Sequence, residues 1–210
     1  MLIQCDFDGT IIRSNLGVLF RETFAHGDWR SIESAYAQHH ITVEECNRAQ
    51  YRLIKEPIEN LQDFACQHTE VRPGFSEFVD YCQQNDIPLV IVSNGVDFYI
   101  ETILARIGMS HLELHCGHGV FSEDGITVSY EDPEGNPLDS GFKGRYLKWL
   151  RQRDSNIVYL GDGYSDIEPA SQADHVLATG ALPAMLDAES IAATPFNDFY
   201  YVIRELQRLS

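Results

Sequence analysis

The sequence predicts an α/β protein: a Rossmann-like, three-layer α/β/α core around a parallel sheet, with a small all-helical unit inserted after the first strand. Three observations predict it. After Arg72-Pro73-Gly74, short apolar runs alternate with segments of helical spacing, as in strands joined by crossover helices. Between Leu16 and about His68, apolar residues recur at three- and four-residue intervals with no strand signal among them. The chain has 210 residues, 44% hydrophobic and 22% charged, which suits one core of roughly 150 residues plus a smaller insertion.

The elements follow in order. Leu2 to Cys5 is an apolar strand that ends in the turn Asp6-Phe7-Asp8-Gly9-Thr10. Leu16, Leu19, Phe20 and Phe24 make one helical stripe, and Ile32, Ala35, Tyr36 and His39 a second. Thr42 and Glu45 have capping-box spacing ahead of a third helix, and Pro57 opens a fourth through Leu61, Phe64 and Ala65. The expected division is therefore a core of residues 1–14 and 72–210 and a helical insertion of residues 15–71. Beyond it we expect a helix with Phe75, Phe78, Val79 and Cys82, then a strand Pro88 to Val92. A helix Asp97 to Ile107, a strand His111 to Cys116, and a hairpin turning at Asp124-Gly125 come next. Residues 131–141 read as loop. A helix Lys143 to Arg153, a strand Ile157 to Leu160, a helix Ser165 to Ala173, a strand His175 to Ala178 and a helix with Phe199, Val202, Ile203 and Leu206 complete the chain.

Charge narrows the function. Fifteen Lys and Arg face 32 Asp and Glu, a net charge of −17, and residues 71–141 hold two of the cations and twelve of the acids. No basic stripe can be assembled for a polyanion, so nucleic acid and anionic membrane surfaces are excluded as partners. Asp6 interrupts the first apolar run too early for a signal peptide, and the longest aliphatic runs fall far short of a membrane span. The five cysteines are scattered and never spaced CxxC, as expected of thiols in the reducing cytoplasm. The histidines show neither HxH nor HExxH spacing, so His39-His40, His115 and His118 read as surface or edge positions.

Three strands end in polar clusters: Asp6 to Thr10, Ser93-Asn94-Gly95, and Gly161-Asp162-Gly163-Tyr164-Ser165-Asp166. Ligands of open α/β sheets bind at the carboxyl ends of the strands, so the three should share one crevice. Asp6 and Asp8 alternate on extended backbone and can face the same site. With Asp162 they form a carboxylate cluster whose repulsion a hard cation relieves, and oxygen donors at this density suit Mg²⁺ together with a substrate phosphate. Asp6 can attack phosphorus to give an aspartyl-phosphate; Asp8 can protonate the leaving oxygen and then activate water. Ser93 and the N–H groups of Asn94 and Gly95 can cradle phosphate at a helix start. Lys143, just after Ser140-Gly141, is chosen to complete charge neutralisation over Lys148, which reads as a solvated helix residue, and the more distant Lys55. Arg13 and Asn15, nearest in sequence to Asp6, are the candidates for reading the substrate. The remaining cations of the insertion read as solvent-exposed, and Phe20, Phe24, Trp29 and Tyr51 as core.

In this order the clusters resemble the four motifs of the haloacid dehalogenase superfamily, and the resemblance spans essentially the whole chain. It implies that Asp6 is the nucleophile, Asp8 the acid/base, and Lys143 the third-motif lysine. It also implies that Mg²⁺ is held by Asp6, the backbone carbonyl of Asp8, and Asp162, with Thr10 and Gly163 supporting. Asp166 would orient either a metal-bound water or the lysine. The acid two residues after the nucleophile resembles the phosphatase branch, and the helical insertion is similar to the small cap of the phosphoserine phosphatase-like group. Val71-Arg72-Pro73-Gly74-Phe75, Ile91 to Tyr99, and Pro195-Phe196-Asn197-Asp198-Phe199-Tyr200 are similar to the methionine-salvage phosphatases, which act on 2-hydroxy-3-keto-5-methylthiopentenyl-1-phosphate.

The expected function is thus hydrolysis of a small phosphate monoester, with that ester or phosphoserine as candidate substrates. A phosphotransferase would use the same intermediate and differ in its acceptor. A non-catalytic binding protein would have no need of so repulsive a carboxylate cluster.

Overall fold

The computed structural model describes residues 1–209, with seven strands in one sheet and ten α-helices among them. The sheet order is β4-β3-β2-β1-β5-β6-β7. The central strand β1 (Leu2–Cys5) is buried along its whole length between β2 (Leu89–Val96) and β5 (Ile157–Gly161), both parallel to it. Strands covered on both faces need continuous apolar runs rather than alternation, which Leu89 to Val92 and Ile157 to Leu160 supply. On the far side β6 (His175–Ala178) pairs parallel to β5, and β7 (Thr194–Pro195) to β6.

Helices α1 (Leu16–Phe24), α2 (Trp29–Ala37), α3 (Val43–Tyr51) and α4 (Ile58–His68) lie between β1 and α5 (Phe75–Gln84). The expected capping box forms: Thr42 Oγ1 accepts from Glu45 N at 3.1 Å and Glu45 Oε2 accepts from Thr42 N at 2.8 Å. Aromatic rings join these helices to the core, with Phe20 5.5 Å from Phe98 and 5.4 Å from Tyr99 in α6 (Asp97–Arg106). The C-terminal α10 (Phe199–Leu209) packs on α5 through Phe199, whose ring lies 5.1 Å from Phe75 and 4.9 Å from Phe78. All five cysteines are free thiols, and among the described residues no helix is long and apolar enough to cross a membrane.

The structure corrects several boundaries. Residues 113–122 form one strand, β3, which pairs parallel to β2 and then turns back antiparallel with β4 (Gly125–Ser129). The two strand signals around Gly117 therefore belong to one element. Gly125 sits at φ +111°, and a Cβ there would meet the Arg52 carbonyl at 2.1 Å, so glycine lets the hairpin tip abut the end of α3. Residues 164–166 form a single 3₁₀ turn before α8 (Ile167–Gln172), where one longer helix was expected. Helix α7 (Phe142–Leu150) ends before Arg153. Helix α9 (Leu182–Ala188) and the two-residue β7 were not expected; both are too short to carry a periodic signal.

Candidate active site

β1 has β2 on one side and β5 on the other, so the chain leaves Cys5 at the point where the strand order reverses, the place where open α/β sheets bind ligands. The three polar clusters meet there: a cavity of about 240 Å³ has Asp6, Asp8, Ser93, Asn94, Lys143 and Asp162 in its wall, beneath residues of α1 and α3. A wider cavity of about 580 Å³ adjoins it beyond Lys143 and shares Tyr36, Val43 and Asn94 with it.

Lys143 is the hub of the charge network. Its ammonium donates to Asp6 Oδ1 at 2.7 Å, Asp166 Oδ1 at 2.6 Å and Ser165 Oγ at 3.3 Å. Burial opposes the ammonium, but Asp166 and Asp6 outweigh it and hold the Lys143 pKa above its ordinary value. Asp166 is fully buried and saturated with donors: Tyr159 reaches Oδ1 at 2.5 Å, and the Asp162 and Gly163 N–H groups reach Oδ2 at 2.9 and 3.0 Å. Burial raises its pKa, but the Lys143 ion pair and the Tyr159 hydrogen bond overcome this and leave it lowered. Of the two alternatives, the geometry therefore ties Asp166 to the lysine. Lys148 is exposed, 3.8 Å from Glu168, and lies outside the cavity.

Asp6 is held by Lys143 on one oxygen and by Thr10 Oγ1, at 3.2 Å, on the other. Burial, with Asp166 and Asp8 adding to it, pushes its pKa up to about 7. Asp8 accepts from Leu16 N at 2.8 Å and from the Tyr99 hydroxyl at 2.5 Å; burial raises its pKa to about 6 against both bonds. Asp162 is pushed to about 8 by burial and by Asp6 and Asp166. Carboxylate oxygens of Asp6, Asp162 and Asp166 lie within 4.8 Å of one another, and among the described residues Lys143 is the one ammonium bonded to this cluster. Three acids against one cation, all hard oxygen donors, fit a divalent metal ion.

The structure separates other candidates from the roles expected of them. Ser93-Asn94-Gly95 is not at a helix start but inside β2, and the cap of α6 is Val96. Ser93 Oγ accepts from Gly95 N at 3.0 Å, so that N–H is already engaged. The Asn94 side chain donates to Glu44 Oε1 of α3 at 3.2 Å, while the Asn94 backbone carbonyl accepts from Asn47 and Tyr130 at 2.8 and 2.6 Å. Arg13 points away to Glu70, 3.3 Å distant, because the chain has already turned toward α4 there, and it does not line the cavity. Asn15 does line it, but its side-chain oxygen caps α1 at Val18 N, 3.0 Å away. His39, exposed at the surface as expected, stacks on the Tyr164 ring at 4.6 Å, joining the insertion to the loop of Asp162.

Sequence reasoning missed four supporting residues. Tyr99 holds Asp8, and Tyr159 holds Asp166. Glu44, 1% exposed, accepts from the first amide of α7 at Phe142, 2.9 Å, next to Lys143. Arg72 donates to the carbonyls of Gly9, Thr10 and Asn197, gathering the turn after β1 and the start of α10. Only the Arg72-Pro73-Gly74 punctuation carried any local signal.

Residues 3–171 match the family model described as haloacid dehalogenase-like hydrolase. The chain belongs to the haloacid dehalogenase-like hydrolases. With that stand the expected α/β fold and the expected enzyme class, a hydrolase of phosphoric monoesters. A protein of Brevibacillus brevis named 2-hydroxy-3-keto-5-methylthiopentenyl-1-phosphate phosphatase is 29% identical over 100% of this chain and 96% of its own length. One of Bacillus mycoides with the same name is 30% identical over 99% of this chain and 96% of its own. Among solved structures, a phospho-aspartyl intermediate analogue of phosphoserine phosphatase superposes with a TM-score of 0.72 at 17% identity, covering 97% of each chain. That likeness supports the fold of this hydrolase.

Proposed function

We propose that this hydrolase is a Mg²⁺-dependent phosphomonoesterase working through Asp6, and that its substrate is the one its curated relatives are named for, 2-hydroxy-3-keto-5-methylthiopentenyl-1-phosphate. The observation that carries the proposal is the Asp6–Lys143–Asp166 network at the switch point of the sheet, with Asp8 and Asp162 beside it. Asp6, Asp162 and the carbonyl of Asp8 would hold the cation. When bound, Mg²⁺ neutralises the carboxylate cluster and the phosphoryl oxygens.

The chain's own residues account for the rest. Lys143 and Thr10 fix the plane of the Asp6 carboxylate, and Lys143 offsets charge on the transferred phosphoryl group. The bond to the leaving oxygen breaks as Asp6 bonds phosphorus, and Asp8 supplies the proton that oxygen needs; Asp8 then takes a proton from the attacking water as its oxygen bonds phosphorus and the Asp6–phosphorus bond breaks, which frees the Asp6 carboxylate and releases phosphate. A carboxyl group raised to about 6 can exchange protons in both directions near neutral pH. The Ser93 hydroxyl and the backbone N–H of Asn94, both in the cavity wall, would present donors to the phosphate, and Asp166 positions the lysine. Residues 15–71 act as the cap over this site, and the cytoplasm is its proposed compartment.

Asp6→Asn tests the reading. We expect kcat on phenyl phosphate to fall by at least about a thousandfold, since removal of a nucleophile forfeits the covalent route. EDTA should abolish turnover and Mg²⁺ restore it. Activity that survives either treatment contradicts the corresponding assignment.

A further inference from the structure

Helix α7 carries Lys143 as its second residue and starts after Gly141, which sits at φ +73° and has no side chain to accept from the first amide of the helix. The missing partner comes from the insertion. Glu44, in the first turn of α3 and buried, accepts from Phe142 N at 2.9 Å, and its negative charge suits a helix start. The same oxygen, Oε1, accepts from the Asn94 side chain at 3.2 Å. One turn along α3, Asn47 donates to the Asn94 carbonyl at 2.8 Å and to the Tyr130 hydroxyl at 2.9 Å. Residue 94 is therefore held by α3 through its side chain and its backbone alike.

Glu44 does not itself line the catalytic cavity, but the segments on either side of it do. One brings Lys143 to Asp6; the other brings Ser93 and the Asn94 N–H into the wall. Gln4 donates to the Lys143 carbonyl at 3.0 Å, which anchors that residue but leaves the first amide of α7 to Glu44. A single carboxylate oxygen thus spans the two segments that would flank a bound phosphate. Shifts of about 1 Å in a catalytic group can cost about a hundredfold in rate, so the bridge matters beyond the stability it adds.

Resting on the phosphatase reading above, we propose that Glu44 is a positioning residue: from the insertion, it sets the spacing between Lys143 and the Ser93-Asn94 donors. The insertion then completes the phosphate site as well as covering it. Reach is what this role demands of residue 44, and charge is secondary.

Two substitutions separate reach from charge. Glu44→Gln keeps the length, and its carbonyl can accept from both donors. Glu44→Asp keeps the charge but draws the oxygens back by about 1.5 Å, out of hydrogen-bond reach of Phe142 N. Kinetics on phenyl phosphate with Mg²⁺ are measured at a temperature where a melt shows each variant folded. We expect kcat within about threefold of wild type for Glu44→Gln and at least about tenfold lower for Glu44→Asp, with KM within about threefold in both. A Glu44→Gln kcat less than about three times that of Glu44→Asp, or a loss that appears in KM instead, overturns the positioning role and leaves the phosphatase reading intact. Should Glu44→Asp not fold, Asn94→Ala breaks the same bridge from the other side and keeps the backbone donor. Its kcat should fall about tenfold, and a value within about twofold of wild type overturns the proposal. A wild-type enzyme inert on phenyl phosphate contradicts the phosphatase reading and the positioning role with it.

Discussion

A methyl group at Gly95 would lie 2.1 Å from the Tyr99 hydroxyl and 2.9 Å from Asp8 Oδ2, so the contact that orients Asp8 exists because residue 95 has no side chain. Gly95→Ala should therefore destabilise the protein by about 1–3 kcal/mol, the usual cost of overpacking, and lower kcat. Adding Tyr99→Phe removes the clashing oxygen, and the double variant should recover part of the lost stability in a denaturant melt. If the two losses simply add, the clash is not with Tyr99. At this scale the acids were legible because each follows an apolar strand, and Lys143 because it opens a helix just after a glycine. Tyr99 and Glu44 were not legible. Their partners Asp8 and Phe142 lie 91 and 98 residues away in sequence, and locally each looks like an ordinary helix residue. Arg13 misled for the converse reason: nearness in sequence to Asp6 says nothing once the chain turns.

Among the elements, Arg72 does the joining. Its guanidinium binds three carbonyls on two loops while lying 5.5 Å from the Phe196 ring centre, an arrangement that needs a planar fork. Arg72→Lys should cost about 2–3 kcal/mol of stability, because an ammonium cannot span the three acceptors and leaves some of them buried and unpaired. A thermal melt checks this; an unchanged midpoint would show that the loops hold their own shape. The same scale explains which elements the sequence revealed. Fully buried strands and the capping box of α3 carry strong local patterns. The continuation of β2 through Ser93 to Val96 does not, since pairing with β3 across a register shift decides it. The docking of α3 on the core likewise depends on distant partners, through Glu44, Asn47 and the tip at Gly125.

For the whole molecule, the net charge of −17 offers no basic stripe to an extended polyanion, yet the site gathers three acids and one lysine where a single phosphate and a cation can be held. This makes stability depend on both pH and metal. Asp6 and Asp162 have folded-state pKa values raised from 3.8 to about 7 and about 8, so their contribution is full below about 4 and is lost as pH rises through 7 to 8. Asp166, lowered, contributes in the opposite sense: its share is present above 3.8 and lost in acid. The metal-free protein should therefore weaken between pH 5 and 8, and Mg²⁺ should raise the melting temperature by a margin that widens over the same range, to about 5 °C or more. A margin independent of pH would mean that the cation binds elsewhere. The α/β fold and the crevice were legible at this scale because composition, strand order and cluster order agree. The cavity wall opposite the aspartates was not, because residues scattered over α1, α2 and α3 converge there only in three dimensions.

The most direct measurement is an acid quench of the enzyme during turnover, followed by digestion and mass analysis. The account predicts a phosphoryl group on the peptide containing Asp6, accumulating further in Asp8→Asn, where the water is no longer activated. A phosphoryl group on another residue, or none at all while phosphate is released, would contradict it.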